Sequence, residues 1–449
     1  MNALQTLSAL IDSDDPHGSA PDNLAELHLE VLRQRFAEKR QQIRVLDKRA
    51  VDTGTDTLSH LADAIPLLFA DQTYKSYPES FIEKGRWDHM NLWLQTLSAQ
   101  PVKVPTDGVE NVDQWMLRLR EHGHMVFSSS GTSGKCTFMN HTRDDMPLSH
   151  SAGVNSIRAG NPMLRGARRK QFVLFPRYGS HRMIDMVSML TQVIGEPGNV
   201  HYLSDEPVLA ADSMYMGSMR RAIADGTAKP SDIEQFQRQG LERQQKMQQA
   251  MADLAGKVYA ARHEPIYIQC LWSTLYGLVQ ALRDQGVKPG QFHPDTLITL
   301  GGGLKGVSLP EDHREQIRSF FGIADENFVD TYGMTEMSGT CPWNYEVKGF
   351  MLPPWVVPLI LDKSGEKLLN PADGKGVVEG RFAFFDPLID GRWGGLITGD
   401  KVVVDFSPGH GLKVPVVKSV ARYADLPEGD DKLSCAGTMN SYVRGMIEV

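Results

Sequence analysis

Ser128, Ser129, Ser130, Gly131, Thr132, Ser133, Gly134, Lys135 and Thr137 crowd hydroxyls, glycines and one cation into a ten-residue run interrupted only by Cys136. Small residues let the main chain approach phosphate oxygens, hydroxyls and amide N–H groups donate to them, and Lys135 adds a mobile positive charge. The spacing is not that of a P-loop NTPase, G-x-x-x-x-G-K-[ST]. Counting back from Gly134, Ser129 stands where the first glycine is required, and Cys136 stands where Ser or Thr must follow the lysine. A flexible Ser/Gly linker is the competing reading. It fits the flanks poorly, because His124, Met125, Val126 and Phe127 read as a strand before the run and Phe138 and Met139 follow it. Two further short motifs come later in the chain: Tyr332, Gly333, Met334, Thr335 and Glu336, then Thr398, Gly399 and Asp400. Taken singly, the first reads as a tight strand-to-helix turn and the second as a turn. All three together, in this order, suggest ATP-dependent activation of a carboxylate.

The elements that must position these residues alternate. Residues 172–175 and 200–203 read as strands, with a helix of Met and Leu spacing over 181–194 between them. Residues 265–270 and 296–300 read as buried strands, the first followed by a helix over 273–283. The second runs directly into Gly301, Gly302, Gly303, Leu304, Lys305 and Gly306. A helix over 314–321 and a strand over 327–330 lead to Tyr332. The alternation predicts an α/β fold with ligand at the C-terminal ends of parallel strands. Residues 23–48, 57–69 and 74–98 read as helical, and Trp87, Met90, Leu92, Trp93 and Leu97 are expected to cover a sheet. Residues 207–256 are again helical, with a glutamine-rich solvated face over 235–249.

Composition bounds the function class. A 449-residue chain exceeds one ordinary core and implies two lobes or more. Net charge −8 gives no footprint for nucleic acid, and Arg165, Arg168, Arg169 and Lys170 read as a local solvated patch. The four cysteines, Cys136, Cys270, Cys341 and Cys435, form no C-x-x-C pair, so neither zinc nor a disulfide framework is indicated. With no apolar leader and no membrane-length apolar run, a cytoplasmic protein without membrane partners is expected.

The three motifs resemble those of the adenylate-forming superfamily of acyl-CoA synthetases, luciferases and peptide-synthetase adenylation domains. The resemblance covers the chain from about residue 120 onward. Within that superfamily, the Gly301–Gly306 run is most similar to the acyl-protein synthetases of bacterial luminescence, with phenylacetate-CoA ligases as more distant relatives. It implies a large adenylation domain of stacked mixed sheets flanked by helices (residues 111–434), a helical N-terminal extension (1–110), and a hinge remnant (435–449). The resemblance further implies that Ser129, Ser130, Gly131, Thr132, Ser133, Gly134 and Lys135 hold the ATP phosphates. Thr335 would stand beside them, and Glu336 would ligate Mg2+, a hard cation that prefers oxygen. Tyr332 with Gly333 would face adenine, Gly301, Gly302 and Gly303 would let the backbone approach the base, and Asp400 would accept from the ribose hydroxyls.

The carboxylic acid substrate is expected in an apolar pocket including Phe175, Tyr178, His181 and Trp272. Acyl transfer to CoA, a carrier protein or a reductase would follow, and Cys435 is a candidate acyl acceptor. The hinge is degraded: Thr438 stands where relatives have arginine, Arg422 and Arg444 are candidate substitutes, and the C-terminal lysine of relatives is absent. An acyl-CoA ligase and a catalytically weak nucleotide-binding scaffold remain open alternatives.

Overall fold

The computed structural model describes residues 1–129, 135–302, 307–426, Leu433 and Val443. Two compact units emerge, one of Met1–Phe127, Thr137–Ala159 and Met334–Val449, the other of Ser128–Cys136 and Gly160–Gly333.

The second unit contains the alternating segments. Its strands lie in the order Gly195–Ser204, Arg169–Pro176, Tyr267–Leu271, Leu297–Gly301, Phe328–Tyr332, all parallel. Strand alternation sends Phe172, Leu174, Ile268, Cys270, Ile298, Leu300 and Phe328 to one face. There they pack with Leu254, Val258, Leu275, Leu278, Leu282, Ile317 and Phe320 from the helices Pro230–Ala261, Trp272–Asp284 and His313–Phe321. On the opposite face, polar side chains bond one another across strands. Gln171 Nε2 donates to Gln269 Oε1 at 2.8 Å, and Tyr267 Oη donates to Thr299 Oγ1 at 2.8 Å. The glutamine-rich part of Pro230–Ala261 is exposed, as expected, and the buried residues of this helix all lie in its last turns.

The first unit holds an antiparallel sheet ordered Val357–Leu361, Val377–Phe385, Gly395–Asp405, Val416–Arg422, Gly349–Met351, Cys341–Asn344. Around it lie helices from the first 121 residues, among them Leu24–Gln42, Arg44–Thr53, Trp87–Leu97 and Val112–Glu121. Trp87, Met90, Trp93 and Leu97 are buried, whereas Leu92 is exposed. Two expectations are corrected here. The helix read over 23–48 is two helices, because Ile43 leaves the helical region at φ −111° and ψ 104°. The helix read over 57–69 is a short 3-10 stretch, Leu61–Leu67, with Pro66 inside it. Proline lacks the N–H an α-ladder needs. The chain then extends, and Phe69 and Ala70 pair in parallel with Leu396 and Ile397. Among the described residues no helix is long and apolar enough to cross a membrane.

Helix Leu24–Gln42 docks through buried cations rather than through an apolar stripe alone. Arg35 Nε donates to Pro387 O at 2.9 Å, and Arg35 and Lys39 reach Asp390 Oδ1 at 2.9 and 2.6 Å. Asp145 grips the same loop, accepting from the N–H groups of Asp390 at 2.7 Å and Gly391 at 3.0 Å. Buried charges persist only when paired in this way.

The helical segment also buries two histidines in neutral form. His28 Nε2 lies 2.8 Å from Pro354 O, and burial lowers its pKa to about 4 against the partial opposition of that carbonyl. Burial likewise lowers His17 to about 4, with Asp15 opposing. Both folded values lie below the unfolded value near 6.5, so the stabilisation is complete above that pH and is lost as pH falls through about 4. Urea unfolding should therefore show a loss of roughly 2 kcal/mol per histidine between about pH 7 and about pH 4.5. His28→Gln should flatten that slope; an unchanged slope would remove His28 from the account.

Candidate functional site

Unit by unit, the structure places the sequence-predicted residues at strand ends and on turns. In the parallel sheet, Gly301 ends its strand opposite Leu271 on one side and Thr331 on the other, so Gly301, Gly302 and Tyr332 stand at the C-terminal edge. A Cβ on Gly301 would meet Thr331 Oγ1 at 2.8 Å, and Gly302 has φ +73°. The run needs glycine at both positions. The polar loop begins beside residues of the expected acyl pocket. Ser128 N donates to Ser180 O at 3.1 Å, the two hydroxyls lie 3.1 Å apart, and Ser128 forms a parallel bridge with His181. Ser129 and Lys135 flank the loop, whereas Ser130, Gly131, Thr132, Ser133, Gly134, Gly303 and Cys435 lie outside the described residues.

Of the four pocket candidates, Phe175 is half-buried, His181 begins the turn into Arg182–Ile194, and Tyr178 is exposed under the Arg177 guanidinium at 5.2 Å. Trp272 is buried in the apolar cluster beneath the helices, with Arg314 4.6 Å above its ring. Next to it, burial raises the Asp330 pKa, opposed by Arg314 and the Thr331 N–H. Burial, then Asp330, pushes the Cys270 thiol well up, which leaves it an unreactive core residue.

In the other unit, Glu336 lies on a turn, residues 334–340, that leads into the strand Cys341–Asn344 rather than into a helix. The main chain of this turn is held at successive points by side chains. Arg392 Nη2 donates to Glu336 O at 2.6 Å, and Asp386 Oδ2 accepts from Ser338 N at 2.5 Å. Trp355 Nε1 donates to Ser338 O at 2.9 Å, and Ser156 Oγ accepts from Thr340 N at 2.9 Å. Glu336 is half-buried, and burial raises the pKa of its carboxyl. Its own N–H and Arg392 oppose that rise, Asp71 adds to it, and Lys75 subtracts. Burial also raises Asp386, against the Ser338 N–H and Arg392.

Asp400 is not on a turn. It lies inside the strand Gly395–Asp405, where the register with Val377–Phe385 slips between Arg381 and Ala383. At this bulge Thr398 Oγ1 donates to Phe382 O at 2.7 Å and accepts from Asp400 N at 3.1 Å. Arg422 is paired opposite, its Nε 3.9 Å from Asp400 Oδ1. A bulge re-aims a side chain without ending the strand, which explains why a Thr-Gly-Asp sequence looked like a turn.

Sequence reasoning missed Arg392, Asp386, Tyr74, Asp71 and Lys75. The one available signal was the run Asp386, Pro387, Leu388, Ile389, Asp390, Gly391, Arg392 between two strand-like segments, too charged for a simple hairpin.

The mixed α/β architecture, with its helical N-terminal segment, is a fold shared with solved structures of 2-hydroxyisobutyryl-CoA ligase. The structure of 2-hydroxyisobutyryl-CoA ligase in an open conformation, bound to 2-HIB-AMP and CoA, matches at a TM-score of 0.55 and 13% identity over 94% of this chain and 82% of that one. The same ligase in its postadenylation state with R3-HIB-AMP matches at 0.56 and 12% identity, over 96% and 76%. Its thioesterification state matches at 0.55 and 13%, over 92% and 72%. No protein-family profile and no curated protein matches the sequence.

Asp386→Ala would leave the Ser338 and Leu388 N–H groups without their acceptor and the Arg392 cation without a nearby counter-charge. Denaturant unfolding of that variant should show a loss of about 3 kcal/mol, the cost of an uncompensated buried charge. A loss under about 0.5 kcal/mol, the range of an ordinary surface change, would show that the turn does not depend on Asp386.

Proposed function

We propose that this protein activates a carboxylic acid with ATP, forming an acyl-adenylate and releasing pyrophosphate, and then passes the acyl group to a thiol or amine. The observation that carries the reading is the half-buried Glu336 carboxyl on a backbone-clamped turn, in a chain with the adenylate-forming fold. Attack of a carboxylate on the α-phosphate brings anions together, so the chain must supply positive charge and fixed donors. Lys135 and the hydroxyls of Ser129 to Ser133 would neutralise and orient the phosphates, with Thr335 beside them. Tyr332 would stack on adenine, Gly301, Gly302, Gly303 and Gly333 would admit the base to the backbone, and Asp400 would accept from the ribose hydroxyls.

Glu336 fits a divalent cation: it is a half-buried oxygen donor whose partial burial favours added positive charge, and Arg392 bonds its carbonyl. Bound there, Mg2+ would shield the phosphate charge.

The acyl group would lie near Phe175, Tyr178, His181 and Trp272. CoA is the favoured acceptor, because the ligase that shares this fold was captured with both an acyl-adenylate and CoA. A carrier protein, a reductase or Cys435, as in an acyl-protein synthetase, are the competing acceptors. The residue ranges 1–110, 111–434 and 435–449 and a cytoplasmic location belong to the same proposal.

Exchange of radiolabelled pyrophosphate into ATP, measured across a panel of carboxylic acids with and without CoA, tests it. An acid-dependent signal is expected, reduced roughly 100-fold or more by Glu336→Ala. Exchange by that variant at the wild-type rate would refute the role of Glu336, and no exchange with any acid would favour a nucleotide-binding scaffold.

A further inference from the structure

Arg392 is 1% exposed, yet among the described residues it does not form the two-pronged ion pair that usually accompanies a buried guanidinium. Its shortest bond, from Nη2, goes to the main-chain carbonyl of Glu336 at 2.6 Å; Nη1 reaches the Trp393 carbonyl at 3.3 Å, and Nε has no hydrogen-bond partner among the described residues. The Asp386 carboxylate, its counter-charge, gives its hydrogen bonds to the main chain at Ser338 and Leu388 instead. Tyr74 lies under the guanidinium at 5.8 Å and donates to the Trp393 carbonyl at 3.2 Å, which closes the pocket around it. An arginine that exists only to neutralise Asp386 would face that carboxylate; this one is aimed at the residue that carries the candidate metal ligand.

The other clamps act further along the turn. Asp386 and Trp355 hold Ser338, and Ser156 holds Thr340. Loss of the arginine would therefore free Glu336 while the remainder of the turn stays fixed.

We infer that Arg392 is the positioning residue for Glu336: by holding that residue's carbonyl it fixes where the carboxylate stands, and so sets the affinity of the site for a divalent cation bound with ATP. The inference rests on the proposed function only in taking Glu336 as the cation ligand. Partners that orient a ligand in this way govern metal affinity by roughly 10- to 100-fold.

The test is binding of Mn2+ in the presence of a non-hydrolysable ATP analogue, followed by electron paramagnetic resonance on the full chain, alongside circular dichroism. Arg392→Gln should bind the Mn2+–nucleotide pair about tenfold more weakly or worse, with an unchanged far-ultraviolet spectrum. Arg392→Lys keeps the charge but has one compact ammonium in place of the fork, and should fall between the two, about threefold weaker than wild type. If Arg392→Gln does not fold, Arg392→Lys alone decides. Wild-type affinity in either folded variant would overturn the inference. Wild-type protein that binds the pair with this dependence on Arg392 but supports no pyrophosphate exchange would sink the proposed function and leave the positioning role standing. Wild-type protein that fails to bind the pair would sink both.

Discussion

The structure around Glu336 depends on one physical constraint: ionised side chains taken out of water must find partners, and here the partners are the main-chain groups of a turn. Asp386 and Arg392 carry opposite charges on one seven-residue stretch, and each directs a hydrogen bond to the backbone of residues 334–340. A turn between two strands leaves peptide groups without ladder partners, and enclosing them is costly unless something replaces the ladder. Side chains do so at Glu336, Ser338 and Thr340. The main chain of the turn that carries Glu336 is thus held by side chains distant in sequence.

That stretch is itself held. Arg35 and Lys39, on a helix with no recognisable motif, bond Pro387 and Asp390, while Asp145 accepts from Asp390 and Gly391. Close approach adds a steric demand, since a Cβ on Gly394 would sit 1.9 Å from the Asp386 carbonyl. The helical N-terminal segment is therefore part of the support of the stretch that grips the Glu336 turn. Its contribution is electrostatic as well as apolar, through the buried cations of Leu24–Gln42.

Much of the parallel sheet was legible because its strands are short apolar runs bounded by glycine, proline or polar residues, and each is followed by a helix with 3.6-residue spacing. Strands expected at 172–175, 265–270 and 296–300 appear as Arg169–Pro176, Tyr267–Leu271 and Leu297–Gly301. Elsewhere local preference lost to tertiary context. Ile43 splits a helix that composition favours, and Pro66 turns a helical pattern into a 3-10 stretch. Thr398 and Asp400 sit on a strand bulge that glycine made resemble a turn. The polar cluster of Gln171, Tyr267, Gln269 and Thr299 was likewise hidden, because side-chain amides and hydroxyls that bond across strands read as scattered polar residues in a single strand.

By itself the sequence determined the kind of fold, the order of the three nucleotide-type motifs, and which residue types are available to hold phosphate, cation and ribose. These follow from local periodicity and from the chemistry of side chains, and both are written in consecutive residues. Only the tertiary structure decided that Glu336 is half-buried, that Asp400 is presented from a bulge, and that Arg392 and Asp386 grip the turn from 56 and 48 residues away. Burial and long-range pairing are properties of how segments meet, and no local pattern encodes which charged residue a distant carbonyl will find.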